Sequence, residues 1–142
     1  MKLTNVHDVA QLLNISEDRV CLVGSQRIIG EGNDWDFLVL HSDPERLTAC
    51  GFSEDLEGSF YPSAFRSWRR GDVNLIVTHD ESFFVSECTV AEAARVAAHG
   101  GHDLTTRDGR VAFHGTVRDS VRHHLDAHIP AVPVPGSPLF EF

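Results

Sequence analysis

The sequence is poor in the residues that disulfide frameworks and thiolate metal sites require. Only three of its 142 residues are cysteine (Cys21, Cys50 and Cys88), and no two of them form a C-x-x-C pair. An odd number at wide spacing is not typical of a secreted disulfide scaffold, nor of a zinc ribbon with closely spaced cysteine pairs. The pattern favours a reducing compartment, and we expect a cytoplasmic protein.

Positive charge and long apolar runs are also scarce. The chain has 12 Lys+Arg against 21 Asp+Glu, a formal net charge of −9, and Lys2 is its one lysine. This charge argues against extended nucleic acid or anionic lipid as the main partner, because an acidic surface repels both. No apolar run approaches the ~20 residues of a membrane span, and polar residues interrupt the N-terminal segment where a signal peptide would be apolar. We therefore expect no membrane partner.

What the chain does have is enough apolar sequence for one core. Apolar residues make up 42% of the chain, and a domain of this size buries roughly two thirds of the surface its unfolded chain exposes. We interpret residues 1–128 as one domain and 129–142, with four prolines, as an extended tail. The tail is interpreted as an arm covering a patch on its own domain or on a second copy in a homo-oligomer, or as a linear motif for a protein partner.

Hydrophobic periodicity and turn signals predict an α+β fold, in which helices flank a small mixed sheet of three or four strands. Residues 26–33 are expected to be a connection and residues 52–62 a turn. The predicted helices are 5–14, a short one from Asp43 to before Gly51, 80–99 and 107–127, and the predicted strands are 20–23, 35–40, 64–70 and 72–78.

Two carboxylates share one face of the second predicted strand. Side chains alternate along a strand, so Asp34 and Asp36 point the same way, with Leu38 and Leu40 beyond them. Partly desolvating two like charges costs several kcal/mol unless a cation compensates them. Mg²⁺ or Mn²⁺ would do so, completed by waters and substrate phosphates. The alternative is that both acids lie at a solvated strand end and have no function.

Two further features accompany this pair. Upstream, the first predicted strand ends in Gly24-Ser25, where glycine allows close approach of a phosphate and the serine hydroxyl can donate to it. Downstream, the strand DVNLIVT presents Asp72 and Asn74 on one face. The sequence thus offers a third acid or amide for the same site.

The set of a G-S turn, a D-x-D strand and a later acid-bearing strand resembles the nucleotidyltransferase superfamily that includes DNA polymerase β. The string GSQRIIGEGNDWDFLVL is similar to its small single-domain members from bacteria, mobile elements and phages. The resemblance implies that Gly24 and Ser25 hold a nucleoside triphosphate. It implies that Asp34, Asp36 and Asp72 bind two metals and are catalytic. Arg27 near the turn could neutralise a phosphate, or it is an exposed, solvated arginine.

The activity implied by the resemblance is metal-dependent transfer of a nucleoside monophosphate from the triphosphate to an acceptor. A protein partner, an RNA end and a small molecule are all open as acceptors, and one family role is an antitoxin-type enzyme that modifies a partner toxin. The sequence departs from the family in two ways. Only eight residues, 26–33, separate Ser25 from Asp34, slightly fewer than the family usually has. If the hydrophobic runs of the two strands are aligned, the third carboxylate position falls on Asn74, with Asp72 two residues earlier. The alternative is therefore a degenerate, non-catalytic binding or interaction protein on the same fold.

The one basic cluster with interleaved aromatics, FRSWRR at 65–70, also has two interpretations. It could contact a nucleotide by stacking and charge. Alternatively, it is an edge strand whose arginines pair with the acids between Glu54 and Glu57.

Overall fold

The computed structural model describes residues 2–40, 42–56 and 65–126, the last nine of these through their backbone alone. Over these ranges the chain has a mixed α+β architecture, as predicted, with helices on both faces of one sheet. The elements in chain order are α1 Val6–Leu13, β1 Val20–Val23, α2 Gly24–Ile28, β2 Trp35–Leu40, α3 Pro44–Ala49, β3 Ser53–Asp55, β4 Arg66–Arg70, β5 Val73–Thr78, α4 Glu81–His99 and α5 Arg107–Asp126.

Side-chain caps begin three of the helices at the predicted residues. Asn5 accepts a hydrogen bond from the backbone N–H of Asp8 at 2.9 Å to start α1. Asp43 caps α3 with Pro44 in the first turn, and Asp80 caps α4 by accepting from the N–H of Phe83. Each cap satisfies a backbone donor that the first helical turn leaves without a partner.

The sheet is mixed, and its parallel pair lies inside it. The strand order is β1-β2-β5-β4-β3, with β2 parallel to β5 and the other neighbouring pairs antiparallel. The described ranges form five strands where the sequence predicts three or four. The additional strand is β3, a three-residue edge strand within the segment interpreted as a turn, and it pairs Glu54 with Trp68 of β4.

Each face of the sheet packs against its own helices. Phe37, Val39 and Leu75 pack with residues of α1 and α3 on one face. On the other face, Leu38 and Ile76 pack against α4. Asp36 precedes Leu38 by two residues and shares its face. The D-x-D pair therefore lies on the α4 side of the sheet.

A second difference from the sequence prediction lies in the connection at residues 26–33, whose first part is helical. α2 begins at Gly24, and its Ile28 is buried with Ala94 of α4 and Leu104. Phe113 of α5 packs against the same cluster. This cluster holds α5 against α4 and so brings the start of α5 towards the D-x-D strand. The tail at 129–142 lies outside the described residues.

Within the described residues, no helix has the length and apolar character needed to cross a membrane.

Candidate functional site

The parallel pairing of β2 with β5 decides which residue stands beside the D-x-D pair. Asp36 is in register with Asn74, and Trp35 with Val73. Asn74 therefore occupies the position at which the resemblance implies the third carboxylate. This register is the one given by aligning the hydrophobic runs of the two strands.

Asp72 lies one residue before β5, in the turn that joins it to β4, and it is exposed. Its backbone carbonyl accepts a hydrogen bond from the N–H of Trp35 at 2.7 Å, which fixes the start of the parallel pairing. Among the described residues, no group of three or more His, Cys, Asp or Glu side chains could hold a metal ion. The structure thus does not assemble the expected three-carboxylate set of Asp34, Asp36 and Asp72.

A short hydrogen-bonded chain crosses the sheet and ends on Asp36. The hydroxyl of Ser67 donates to Oδ1 of Asn74 at 2.5 Å, and Nδ2 of Asn74 donates to Oδ1 of Asp36 at 3.2 Å. An ionised carboxylate only accepts hydrogen bonds, so the amide must turn its NH₂ group towards Asp36. The amide oxygen of Asn74 consequently faces Ser67 and is not presented to a cation bound at Asp36.

The sequence interpretation did not single out Ser67. On β4 it lies between Phe65 and Arg69 in the alternation of that strand, and it is 3% exposed. A buried serine that shares a face with a site-facing arginine is the signal that could have identified it.

The site carries excess negative charge that burial makes costly. Asp36 is largely buried, and this burial raises its pKa to about 6. This value already includes the hydrogen bond from Asn74, which lowers the pKa, the negative charge of Asp34, which raises it, and the positive charges of Arg69 and Arg110, which lower it. Asp34 is half-exposed and lies 3.5 Å from Nη2 of Arg69. An additional cation would stabilise the ionised form of Asp36.

Both carboxylates line an open cavity of about 480 Å³. A cavity of this size can hold one nucleotide-sized ligand. Ser25 of the G-S turn also lines it, as do Glu31 and Gly32 of the loop before β2. Further lining residues come from α5 and the segment before it, namely Thr105, Arg107, Arg110 and His114.

Two glycines determine the position of Ser25 in the cavity lining. Gly24 begins α2 with a positive φ of 72°, which turns the chain sharply after β1. Gly32, with a φ of 146°, lies directly against the Ser25 side chain, and a Cβ at Gly32 would overlap the Ser25 hydroxyl. The hydroxyl thus lies between the cavity and a position that only glycine can fill.

We expect Gly32→Ala to weaken ligand binding at the cavity and to lower the free energy of unfolding by about 2–3 kcal/mol, because it adds both backbone strain and overlap with Ser25. Gly30→Ala is the matched control. Gly30 also has a positive φ (73°), but no atom lies within 4 Å of a Cβ placed there. Gly30→Ala should lower the free energy of unfolding by about 1 kcal/mol and leave ligand binding unchanged. Chemical denaturation of both variants checks this, and equal losses would contradict the proposed contact.

Arg27 does not line this cavity. Its guanidinium donates to Glu92 of α4 at 2.5 Å and to the carbonyl of Leu22 at 3.2 Å. Together with Arg95, it lowers the pKa of Glu92 to about 2. The structure therefore places Arg27 in a contact between α2 and α4 rather than beside the predicted phosphate site.

The arginines of β4 are likewise held by neighbouring residues. Arg66 pairs with Glu54 at 2.6 Å, and Arg69 lies 3.6 Å from Asp55 as well as near Asp34. The Arg70 guanidinium stacks over Phe52 at 5.2 Å. Of the two interpretations of this cluster, these contacts match the pairing of its arginines with nearby acids. The expected edge position is wrong, because β3 pairs with the outer side of β4 and is itself the edge strand.

The donor set at Asp34 and Asp36 fits one hard cation. Mg²⁺ is commonly held by one or two carboxylates, with waters and substrate phosphates filling its other positions. A two-metal site needs further carboxylates, and the described residues do not supply them here. No protein-family model, curated protein or solved structure matches the chain.

Proposed function

We propose that the chain binds a nucleoside triphosphate as its Mg²⁺ or Mn²⁺ complex, on a nucleotidyltransferase-like fold that does not transfer the nucleotide. Asp34 and Asp36 would hold the cation, and Ser25 would contact a phosphate. The observation that carries this proposal is the position of Asn74, which stands in register with Asp36 and donates a hydrogen bond to it.

The arrangement of elements supports the nucleotidyltransferase-like assignment. The G-S turn follows β1, the D-x-D pair begins β2, and the strand parallel to β2 presents its residue at the third position. Ser25, Asp34 and Asp36 line one cavity, although they come from separate elements. This is the placement that the resemblance implies for a triphosphate and its metal.

The lack of transfer follows from the chemistry of the third position. An amide has no proton-accepting group near neutral pH, so Asn74 cannot act as the base for an attacking hydroxyl. Its oxygen is also engaged by Ser67. Asp72, which could supply a carboxylate, is exposed in the preceding turn. A bound nucleotide would therefore lack the group that activates an acceptor.

The second candidate function is the transfer itself: a metal-dependent nucleotidyltransferase with a protein, an RNA end or a small molecule as acceptor. The observation that favours it is the retained pair of Asp34 and Asp36 in the cavity wall. When bound, the cation would stabilise charge on the phosphates. The chain's own contribution would be to orient the triphosphate at Ser25 and the two carboxylates.

Calorimetric titration with each of the four common ribonucleoside triphosphates, with and without Mg²⁺, tests the proposal. We expect Mg²⁺-dependent binding that weakens about tenfold or more in Asp34→Asn, because one of two charged ligands is lost. Asp108→Asn is the matched control, since Asp108 is exposed on α5 and does not line the cavity. Absence of Mg²⁺-dependent binding would overturn the proposal.

A pyrophosphate-release assay in cell extract separates the two candidates. Binding without release is the expected result. Release that depends on both Asp34 and Asp36 would overturn the non-catalytic assignment and establish the second candidate.

A further inference from the structure

The cavity that holds the D-x-D pair is also lined by a row of basic side chains on α5. Arg107, Arg110 and His114 are spaced by three and four residues, so they lie on one face of the helix, and all three line the cavity. Arg107 is exposed, whereas His114 is only 3% exposed. The row therefore runs from the cavity mouth into its interior.

The charge of the cavity makes this row necessary for an anionic ligand. Its lining has the three carboxylates of Glu31, Asp34 and Asp36 against the two guanidinium groups of Arg107 and Arg110. Arg69 adds one positive charge beside Asp34, so with His114 counted as neutral the formal charge is 0, and one divalent cation would bring it to +2. Without the two α5 arginines, the cavity with its cation would be neutral and would not attract a polyphosphate.

Arg110 is held in place before any ligand binds. Its Nη1 donates to the carbonyls of Leu104 and Thr105 at 3.1 and 3.2 Å. Its charge also reaches Asp36 across the cavity, where it lowers the pKa of that carboxyl. A guanidinium presents five N–H donors in a planar fork, so one anchored nitrogen leaves others for phosphate oxygens.

Two further arginines, Arg27 and Arg69, lie near carboxylates of the protein and do not line the cavity. Arg27 pairs with Glu92, and Arg69 lies between Asp34 and Asp55. Both arginines that line the cavity come from α5. The cationic groups available to bind phosphate in this cavity therefore lie on α5, and the G-S turn supplies the Ser25 hydroxyl.

We propose that Arg107 and Arg110 bind the terminal phosphates of the nucleotide, so that the site selects its ligand by the length of the polyphosphate chain. This inference rests on the proposed function, since it places the same ligand between the carboxylates and α5. A nucleoside triphosphate should bind much more tightly than its monophosphate, which leaves the arginines without a phosphate. Inorganic triphosphate should bind at the same wall.

Titrations with three probes test the inference: the Mg²⁺ complex of the tightest-binding nucleoside triphosphate, its monophosphate, and inorganic triphosphate. We expect Arg107→Gln to weaken triphosphate binding about tenfold, and Arg107→Gln with Arg110→Gln about 100-fold. Monophosphate binding should change less than about threefold, since the lost contacts are to the terminal phosphates. Arg95→Gln on α4 removes the same charge outside the cavity and should bind like the wild type.

Arg110 also anchors the segment before α5, so its replacement could disturb the fold. Arg107 also interacts with the rest of the protein, so the folding of every arginine variant is checked. Arg107→Gln is the primary variant, and Arg110→Lys is the second, because it keeps the charge but loses the planar fork. Thermal unfolding establishes that each variant is folded. Arg110→Lys should weaken triphosphate binding by about tenfold, without changing monophosphate binding.

The outcomes separate this inference from the proposed function. Triphosphate binding that is unchanged in the folded arginine variants would overturn the inference and leave the proposed function standing. Binding of inorganic triphosphate that is lost in Arg107→Gln, but is unaffected by Asp34→Asn and by removal of Mg²⁺, would support the arginine wall and overturn the proposed function. If no phosphate probe binds the wild type, both are overturned.

Discussion

Replacing Asn74 by aspartate should lower the free energy of unfolding by about 2–3 kcal/mol in metal-free buffer at pH 7.5. The change places a third carboxylate where Asn74 now donates to Asp36 at 3.2 Å, so a hydrogen bond becomes a repulsive contact. Millimolar Mn²⁺ should restore most of the loss, because a cation can be shared by the new carboxylate and Asp36. Denaturant titrations with and without Mn²⁺ measure both effects.

Proton binding should also reduce the loss of stability that Asn74→Asp causes. Two adjacent carboxyls share a proton more readily than either binds one alone, so the loss of stability should shrink as the pH falls from 7.5 to 5. Asn33→Asp is the matched control, since Asn33 lines the same cavity but is exposed. It should change stability by less than about 0.5 kcal/mol. If Asn74→Asp were as stable as the wild type without metal, Asn74 would not hold Asp36 as described.

Asp36→Asn should have the opposite effect on stability and abolish Mg²⁺-dependent binding. The pKa of Asp36 is raised to about 6, mainly by burial, so its ionised form is unfavourable in the folded protein. The amide removes this cost, and its oxygen can still accept from Asn74. We expect a gain of about 1–2 kcal/mol at pH 7.5, below the ~3 kcal/mol that a shift of two pKa units implies, because the cavity is open to water.

The pH dependence of this gain has a definite sign. A carboxyl with a higher pKa in the folded state binds protons more strongly there than in the unfolded chain. The wild type should therefore lose stability as the pH rises from about 4 through 6, while Asp36→Asn does not. The charged groups acting on Asp36 are Asp34, Arg69 and Arg110. The difference in the free energy of unfolding between the two proteins should reach its maximum above pH 6 and vanish below about pH 4.

Asp34→Asn is the control for this effect. Asp34 is half-exposed and lies near Arg69, so its replacement should change stability by no more than about 0.5 kcal/mol. Urea titrations at pH 4, 5, 6 and 7.5 check both variants. An Asp36→Asn protein less stable than the wild type at pH 7.5 would contradict a net cost of burying the Asp36 charge.

Elements with strong local signals were predictable from the sequence. The caps at Asn5, Asp43 and Asp80 begin helices where expected, since each cap acts within three residues of itself. β1, β2 and β5 are apolar and β-branched, which favours buried strands. Their positions were predicted to within one residue.

Elements that depend on distant contacts were not predictable. β3 is acidic, and acidic residues do not favour strands. It forms because Arg66 and Arg69 of β4 pair with Glu54 and Asp55. The five-residue helix α2 starts at a glycine that the sequence favours as a turn, and burial of Ile28 against α4 supports it.

The candidate site was predicted in part for the same reason. Alternation along one strand placed Asp34 and Asp36 on one face, and the structure brings both to the cavity with Ser25. Aligning the hydrophobic runs of β2 and β5 already favoured Asn74 over Asp72 at the third position, and the observed register agrees with it. Arg107 and Arg110 were not singled out, because only the packing of α5 on α4 brings them into the same cavity as the carboxylates.

A crystal structure of the protein soaked with Mn²⁺ and the tightest-binding nucleoside triphosphate tests the central claim most directly, because anomalous scattering locates the metal. We predict one Mn²⁺ at Asp34 and Asp36, phosphates against Arg107 and Arg110, and the amide of Asn74 still donating to Asp36. A second metal bound by Asp72 or by the oxygen of Asn74 would contradict the claim. So would a nucleotide bound outside this cavity.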